Sequence, residues 1–401
     1  MSDHLPLEGV RVLDLSRIIA GPNCTMQLAD MGAEVIKIEN PDGGDDSRGM
    51  KPPEIGGEGH FYLAFNRNKK SVAIDMKAPA GLKLIYQLIK RSDVMVENFR
   101  PGVTTRLGVD YGTVSKLNPS LIYCSVSAYG QQGMLSALPG VDPIFQAEMG
   151  LMSVTGVPDG EPMRHPVSII DMLTSLYAST AVASAIVDQQ ATGTGRHIDV
   201  SLMGSAISAL GNAAQYYLTS GTTPPRMGNG FPTVVPVGAF AGSDGGLFYL
   251  ACGNERLYQN LVVKALARPD LVTDERFRTM PLRVANRDRF MRILAEVFET
   301  KPRDHWVQAL RSNGVPCGPV RSIAEALESP EVTEAGLVQT LAHPTAGDLR
   351  MLRSPIGLPD GPQRQDSAPP LLGEHTDSVL RKVLDLDDTT LALLRSERII
   401  A

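Results

Sequence analysis

Short apolar runs alternate with amphipathic stretches along the first half of the chain. Apolar runs bounded by small or polar residues predict buried strands at 10–16, 34–40, 71–76, 93–99, 121–130 and 196–202. The stretches between and after them predict helices at 23–33, at 79–92, from 171 onward and at 203–218. Strands that alternate with helices are typical of parallel βαβ units. The pattern therefore predicts an α/β fold with a doubly wound parallel sheet.

The amino-acid composition of the chain changes near residue 219, where glycine and proline become frequent. The segment 219–238 is typical of a linker, and the strands and helices that follow it predict a smaller α+β unit. From about residue 330 the chain is proline-rich and extended before a final helix. The predicted organisation is a Rossmann-like large domain at 1–224, a small α+β domain at 225–330, and a C-terminal tail at 331–401 that returns to the large domain.

The overall charge of the chain limits the kinds of partner that we expect. The 401 residues carry a formal net charge of −6, and the isoelectric point is near 5.7. This balance argues against nucleic acid or an anionic membrane surface as the main partner, although a local basic pocket is compatible with it. The length favours two domains over one.

The spacing of cysteine and histidine argues against a metal site. The four cysteines lie far apart, and no CxxC, HxH or HExxH spacing occurs. Free thiols suit a reducing cytoplasm. The start of the chain lacks the basic and apolar regions of a signal peptide, and no apolar run approaches the roughly 20 residues that cross a bilayer. We therefore expect a cytoplasmic protein without a membrane segment.

Familiar nucleotide-binding and hydrolase motifs are missing or incomplete. Glu39 ends the second predicted strand, where a ribose-binding acid would lie, but the loop after the first strand reads SRIIAGPN rather than GxGxxG. No GxxxxGK[ST] loop occurs, and SLMGS at 201–205 has the wrong spacing for a GxSxG elbow. These observations argue against NAD or FAD binding, a P-loop and a serine hydrolase.

One carboxylate, Asp171, lies within the apolar run VSIIDMLTSLYAS at 167–179. A buried carboxylate has a raised pKa or a dedicated partner, since burial disfavours the charged form. On residue type alone, the simpler interpretation is an N-cap of the helix that starts there. The reactive interpretation needs further support.

Cations follow several of the predicted strands, where open α/β sheets bind ligands. The stretches NRNKKSVAIDMK and ENFRPGVTTRLG place six of them there: Arg67, Lys69, Lys70, Lys77, Arg100 and Arg106. Such side chains hold phosphorylated ligands in many proteins. Ordinary surface charge is the simpler explanation for each lysine taken alone.

Several motifs, in order along the chain, resemble the family III CoA-transferases, the CaiB/BaiF group. They are LPLEGVRVLDLSRIIAGPNCTMQLADMGAEVIKIE, NRNKKSVAIDMK, ENFRPG, GVPCGPV and PPLLGEHTDSVL. The resemblance spans residues 5–395 and implies chemistry on CoA thioesters. It also implies interlocked homodimers, in which each chain threads through a ring made by the other.

The resemblance implies a role for Asp171 as the nucleophile that becomes an aspartyl-CoA thioester. The substrates would be an acyl-CoA donor, such as succinyl-CoA, and a small carboxylic acid as acceptor. The resemblance also implies a set of residues in contact with coenzyme A: Arg17, Ala20, Ile74, Lys77, Asn98, Phe99, Arg100 and Arg106. No metal is implied.

The same group contains 2-methylacyl-CoA racemases, so a racemase or epimerase is the alternative. Racemases of the group carry a GHD element, and this chain has Val141 in place of the histidine, beside Asp142. Valine cannot transfer a proton, which favours the transferase. Asp142 either positions substrate or caps the helix that follows it. A third hypothesis, a CoA-binding protein without catalysis, is disfavoured by Asp171 in its motif.

The chain departs from the family pattern in two places. Some relatives have an arginine after the second strand, where this chain has Asn40 and Pro41. The glycine-rich loop of formyl-CoA transferases is replaced by GNGFPTVVP at 228–236, which argues against formate and oxalate as substrates. Arg164 and His165 precede the nucleophile. They either contact the carboxylate of the acceptor acid or are simply exposed at the surface.

Overall fold

Strands and helices follow one another along the chain as the alternation of apolar runs predicts. This computed structural model describes residues 4–359, 362 and 364–401. The strands are β1 (Arg11–Asp14), β2 (Glu34–Glu39), β3 (Glu54–Ile55), β4 (Glu58–Gly59), β5 (Lys69–Ala73), β6 (Val94–Glu97), β7 (Ile122–Ser127), β8 (His197–Ser201), β9 (Val237–Ala241), β10 (Leu247–Ala251), β11 (Cys317–Pro319), β12 (Val338–His343) and β13 (Gly347–Leu352).

The α-helices are distributed along the whole of the described chain. They are α1 (Ala20–Asp30), α2 (His60–Phe65), α3 (Pro79–Ile89), α4 (Val103–Leu107), α5 (Tyr111–Leu117), α6 (Asp142–Glu148), α7 (Leu151–Val154), α8 (Ile169–Thr192), α9 (Leu202–Ala209), α10 (Gly211–Ser220), α11 (Glu255–Gln259), α12 (Asp270–Thr273), α13 (Met280–Ala285), α14 (Arg287–Phe298), α15 (Arg303–Ser312), α16 (Ile323–Leu327), α17 (Pro330–Glu334), α18 (Thr376–Leu384) and α19 (Asp388–Ser396). A 3₁₀ helix (Asp46–Gly49) and a π-helical segment (Asn260–Ala265) complete the set.

A six-stranded sheet lies at the centre of the larger unit of the chain. Its strand order is β5-β2-β1-β6-β7-β8, and every neighbouring pair is parallel. Counted along the chain, this is the order 3-2-1-4-5-6 of a doubly wound Rossmann sheet. The predicted α/β class is confirmed. The strand order reverses between β1 and β6, so the loops after these two strands border the crevice where such sheets bind ligands.

The hydrophobic core of the larger unit contains the central strands and the helices that cover them. Leu13, Val72 and Met95 from the sheet are fully buried with Leu88 of α3 and Leu380 of α18. The last residues of the chain belong to the same core, because Ile400 forms a β-bridge with Ile74 at the end of β5. The tail thus returns to the large unit.

Helix α8 has 24 residues and packs against α1. Among the described residues, it is the one helix whose length and composition would suffice to cross a membrane, although polar residues interrupt its apolar sequence. A core helix of a globular protein passes the same test, and 44% of its apolar window is buried within the protein. The buried face includes Ile170, Ala178 and Val182.

The smaller unit has an antiparallel sheet of its own, in the order β11-β10-β9. Phe240, Phe248 and Phe298 fill the core beneath this sheet. The two compact units divide at different points from the predicted domains: the smaller comprises Leu151–Arg164 and Asn212–Val332, and the larger comprises the remaining described residues. The limits 1–224, 225–330 and 331–401 stay a prediction of domain organisation.

Two helices begin or end at positions that the sequence pattern did not predict. The first begins at Ala20 rather than at residue 23. The predicted helix 203–218 is two helices, α9 and α10, and the junction lies at Gly211, whose φ of +48° suits glycine.

Candidate active site

The loops after β1 and β6 are joined by a reciprocal pair of hydrogen bonds. The backbone N–H of Arg17 donates to Oδ1 of Asn98 at 2.8 Å, and Nδ2 of Asn98 donates to the carbonyl of Arg17 at 2.8 Å. The Arg17 guanidinium lies 5.0 Å from the centroid of the Phe99 ring and 3.1 Å from an Asp46 carboxylate oxygen. The two loops that border the switch point of the sheet therefore form one surface.

A cavity of about 480 Å³ opens beside this surface. It brings Asp171 together with five of the residues predicted to contact coenzyme A, namely Arg17, Ala20, Asn98, Phe99 and Arg100. Apolar residues make up much of the lining, with Leu138, Pro139, Val141 and Leu202 among them. The cavity thus combines Asp171 with apolar side chains and two arginines, and a second carboxylate, Asp46, is paired with Arg17.

Asp171 is the third residue of α8, so the interpretation of this residue as the helix N-cap was wrong. The N-cap is Ser168, and its side chain makes no capping bond. Burial raises the pKa of Asp171 to about 7, and the nearby charge of Asp142 adds to the rise. A carboxyl group with this pKa titrates near neutral pH and is poorly solvated when ionised.

Asp142 supplies the capping bonds that Ser168 does not. Its Oδ2 accepts from the N–H groups of Ile170 at 2.6 Å and Asp171 at 3.3 Å, while its Oδ1 accepts from Nε2 of Gln146 at 2.6 Å. Gln146 in turn accepts from the backbone N–H of His165 at 2.7 Å. Asp142 therefore caps α8, not the helix α6 that begins at Asp142 itself, and holds the turn that carries Asp171.

A second cavity of about 200 Å³ shares Arg17 and Phe99 with the first. It includes the two remaining predicted contacts of the segment after β5, Ile74 and Lys77. Ile74 is only 1% exposed, whereas Lys77 is exposed. The end of β2 and the segment after it also contribute to this lining, with Glu39, Asn40, Asp42, Asp45 and Asp46. Three of these acids are paired with cations: Glu39 with Arg48, Asp45 with Lys37 and Asp46 with Arg17.

Other cations that the sequence suggested have structural partners. Arg67 pairs with Asp30, Lys69 with Asp14 at 3.0 Å, and Lys70 with Glu34 at 2.5 Å. They lie outside the linings of both cavities, and their ion pairs give these charges a structural role. Arg106, the eighth predicted contact of coenzyme A, is exposed on α4 and also lies outside both linings.

Several residues of the cavity escaped the sequence analysis. Asp46 pairs with Arg17, and Val126, Ser127 and Ala128 line the cavity where β7 ends. The sequence could have predicted the three residues at the end of β7, because β7 is parallel to β6 and its carboxyl end lies at the same edge of the sheet. Asp46 lies in the run GDDSR after β2 and gave no comparable signal.

The two residues considered for an acceptor carboxylate lie in different units. His165 belongs to the larger unit and is exposed, with its backbone bonded to Gln146. Arg164 and the segment 228–236 belong to the smaller unit. Over the described residues 4–359, 362 and 364–401, no group of three or more metal-ligating side chains could hold a metal ion.

Comparison with known proteins gives one consistent result. The profile of a family described as CoA-transferase family III matches residues 7–376. The human succinyl-CoA:glutarate CoA-transferase is 38% identical over 400 residues, covering 100% of this chain and 91% of the relative. The succinate–glutarate CoA-transferase of Agrobacterium fabrum is 37% identical over 391 residues, covering 96% and 97% of the two chains.

Solved structures agree with the sequence comparison. The crystal structure of a CAIB/BAIF family protein from Brucella suis superimposes with a TM-score of 0.84. It is 36% identical to this chain and covers 95% of it, while the chain covers 100% of that structure.

Proposed function

The chain belongs to CoA-transferase family III and is an enzyme that transfers coenzyme A between carboxylic acids, and we propose that Asp171 is its nucleophile. The observation that supports this role most directly is the position of Asp171. Asp171 lines one cavity together with Arg17, Arg100 and several apolar side chains. A thioester bound there with its acyl group beside Asp171 would present its carbonyl to the Asp171 carboxylate.

The proposed reaction divides one exchange into steps that a carboxylate can perform. The Asp171 carboxylate attacks the thioester carbonyl, which forms a mixed anhydride and releases CoA thiolate. The thiolate attacks the aspartyl carbonyl, which releases the first acid and leaves an aspartyl-CoA thioester. The acceptor carboxylate then attacks this thioester, and the thiolate it releases attacks the acceptor's carbonyl in the new anhydride, restoring Asp171.

The surroundings of Asp171 support this chemistry in two ways. The apolar lining keeps the carboxylate weakly solvated and excludes water from the anhydride. Helix α1 begins at Ala20, which lines the cavity. Because the first N–H groups of a helix have no partner within it, they are suited to stabilise the oxyanion of each tetrahedral intermediate.

We propose a dicarboxylate pair of the succinate and glutarate type as the substrates. The names of the human and Agrobacterium relatives support this choice, and Arg100 places positive charge in the cavity for a second carboxylate. The racemase alternative has less support, because Val141 lines the cavity where a racemase would need a proton-transferring histidine.

The experiment that tests the nucleophile is peptide mass spectrometry after incubation with succinyl-CoA alone. We expect an adduct of the mass of coenzyme A on the peptide that contains Asp171, since without an acceptor the aspartyl-CoA thioester accumulates. Treatment with hydroxylamine should remove the adduct. An adduct on any other residue, or none with succinyl-CoA and acetyl-CoA both, contradicts the proposal; Asp171→Asn is the control and should remain unlabelled.

We also propose that the enzyme is an interlocked homodimer. Each unit exposes large apolar side chains, which in a monomer would face water. In the larger unit they include Met134, Leu176 and Val187, and in the smaller unit Val157, Tyr217 and Leu218. Light scattering should give twice the 43.1 kDa of one chain. Two differently tagged dimers should not exchange subunits unless unfolded; a monomer, or free exchange on mixing, contradicts the interlocked arrangement.

A further inference from the structure

The loop that leaves β1 has a strained backbone at Ile18. Its φ is +71°, a region that β-branched residues rarely adopt. The same loop packs tightly on the first turn of α1, where a Cβ added to Gly21 would lie 2.3 Å from the Cβ of Ser16. Such a conformation persists only where the surrounding structure holds it. Because Ile18 lines the cavity that contains Asp171, the groups that hold this loop bear on the reaction.

Charged side chains from β2 and from the segment after it bind the backbone of the loop. The carbonyl of Ser16 accepts from Nζ of Lys37 at 2.8 Å. The N–H of Ile18 donates to Oδ1 of Asp45 at 3.1 Å. With the two bonds of Asn98 described above, side chains thus engage three consecutive residues of the loop.

Lys37 and Asp45 also pair with each other at 2.8 Å, and both side chains are fully buried. Burial lowers the pKa of Lys37, but Asp45 and other acids more than offset this, and the pKa lies above its usual value. Burial likewise raises the pKa of Asp45, and Lys37 outweighs that effect, so the carboxyl stays ionised. Asp45 caps the 3₁₀ helix as well, accepting from the N–H of Ser47 at 2.9 Å. A buried ion pair is weak evidence for stability, because desolvation cancels much of the attraction between its charges. The hydrogen bonds of Lys37 and Asp45 to the loop backbone indicate a different role, which is to hold the loop.

We propose that Lys37 and Asp45 are positioning residues, whose buried ion pair holds the strained loop at Ser16–Ile18 and so sets the wall of the cavity facing Asp171. The inference rests on the proposed function, since the site it serves is the one around Asp171. Both residues belong to the lining of the second cavity, but their side chains are fully buried and neither lines the cavity that contains Asp171, so both act on that cavity through the loop backbone.

The test replaces the pair by apolar residues in the variant Lys37→Met/Asp45→Leu. Substitution of a complete buried pair by apolar residues is often tolerated in folding, unlike removal of one partner. We expect kcat/KM for succinyl-CoA to fall roughly 10- to 100-fold, because misplacement of reacting groups by about 1 Å costs that much. The rate of adduct formation on Asp171 should fall by the same factor.

The matched control is Arg67→Met/Asp30→Leu, which removes a buried ion pair of the larger unit that, unlike Lys37 and Asp45, lies outside the linings of both cavities. It should change the melting temperature comparably and leave kcat/KM within about threefold of the parent, in line with an effect on the fold alone. Parent-like kinetics in the loop variant, or an equal kinetic loss in the control, overturns the inference.

A further variant covers the case in which the double substitution prevents folding. Asp45→Asn keeps the volume and removes the charge, and it should reduce kcat/KM in the same direction by a smaller factor; parent-like kinetics again overturn the inference. Asp171→Asn is measured in parallel. If Asp171→Asn keeps activity, the proposed nucleophile is wrong. If Asp171→Asn is inactive and the Lys37/Asp45 variants have parent-like kinetics, only the positioning role is refuted.

Discussion

Replacement of Asp171 by asparagine should lower kcat for CoA exchange by roughly 10³-fold or more, since the amide cannot form the anhydride. The measurement is the initial rate of transfer from succinyl-CoA to glutarate, followed by chromatography of the CoA esters. Asp188→Asn is the matched control, because Asp188 lies on the same helix, is outside the cavity and pairs with Arg196. The control should keep the parent's rate. Activity of Asp171→Asn within tenfold of the parent would refute the nucleophilic role.

The raised pKa of Asp171 gives this prediction a pH dependence. Only the carboxylate attacks, so kcat/KM should rise with pH and reach half its maximum near the pKa of about 7. Asp142→Asn removes the second cause of the rise and should move this midpoint to lower pH. A flat profile from pH 5 to 9, or an unchanged midpoint in Asp142→Asn, contradicts this account of the group.

The same raised pKa predicts a change in stability of opposite sign to the change in activity. A carboxyl group whose pKa is higher in the folded state stabilises the fold at low pH, and this contribution is lost as pH rises from its usual value of 3.8 to about 7. Above pH 7 the parent carries the cost of an ionised, poorly solvated Asp171. Asp171→Asn should therefore melt at a higher temperature than the parent at about pH 8, and the two should converge in acid.

The second large effect is expected at Arg48, where Arg48→Met should reduce the free energy of unfolding by about 3–5 kcal/mol. Arg48 is buried and makes two bonds to Glu39 at 2.8 Å and one to Glu58 at 2.6 Å. It also donates to Tyr62 at 2.6 Å and to the carbonyl of Pro370, so it ties the tail to the first part of the chain. Its loss removes the paired cation from two buried carboxylates, and Glu39 keeps the donors Ser71 and the N–H of Asp45.

The penalty for Arg48→Met should depend on pH. Burial raises the pKa of Glu39, but Arg48, with Lys37 and Ser71, outweighs this and keeps the pKa below its usual value, so these contacts stabilise the fold above pH 4.5. In the variant, Glu39 and Glu58 lack the Arg48 cation and can instead take up protons. The loss in free energy of unfolding should therefore be largest near pH 8 and shrink towards about pH 5. Urea denaturation at both values measures it. Arg381→Met, which breaks the exposed pair with Asp388, is the control and should cost less than about 1 kcal/mol; similar losses in both variants would contradict the argument.

Much of the site was predictable because the pattern of apolar runs determines the order and direction of the strands. Once β1 and β6 are recognised as parallel neighbours, the residues after them must meet at one edge of the sheet. Arg100 was predicted on that edge from the strand pattern, whereas the family resemblance implied Arg17 and Asn98, and all three line one cavity there. Asp171 was notable in the sequence because a single acid in an apolar run needs a reason.

The roles of individual polar side chains were less predictable. Arg17 follows β1 and Arg67 lies just before β5, and nothing in the local sequence separates their roles, yet Arg67 is buried against Asp30 and Arg17 lines a cavity. Asp142 and Asp171 each looked like a helix cap, and the structure gives that role for α8 to Asp142, 29 residues earlier in the chain. Local spacing cannot distinguish such cases, because a hydrogen-bond partner distant in the chain is chosen by packing.

The sequence by itself determined the class of fold, the edge of the sheet where ligands bind, and the resemblance that implied chemistry on CoA thioesters. These follow from periodicity and from short motifs, both of which are local properties of the chain. The tertiary structure alone decided that Lys37 and Asp45 pair beneath the loop at Ile18 and that burial brings the pKa of Asp171 near neutrality. Burial and long-range pairing depend on the whole fold, because the cost of a charge is set by everything packed around it.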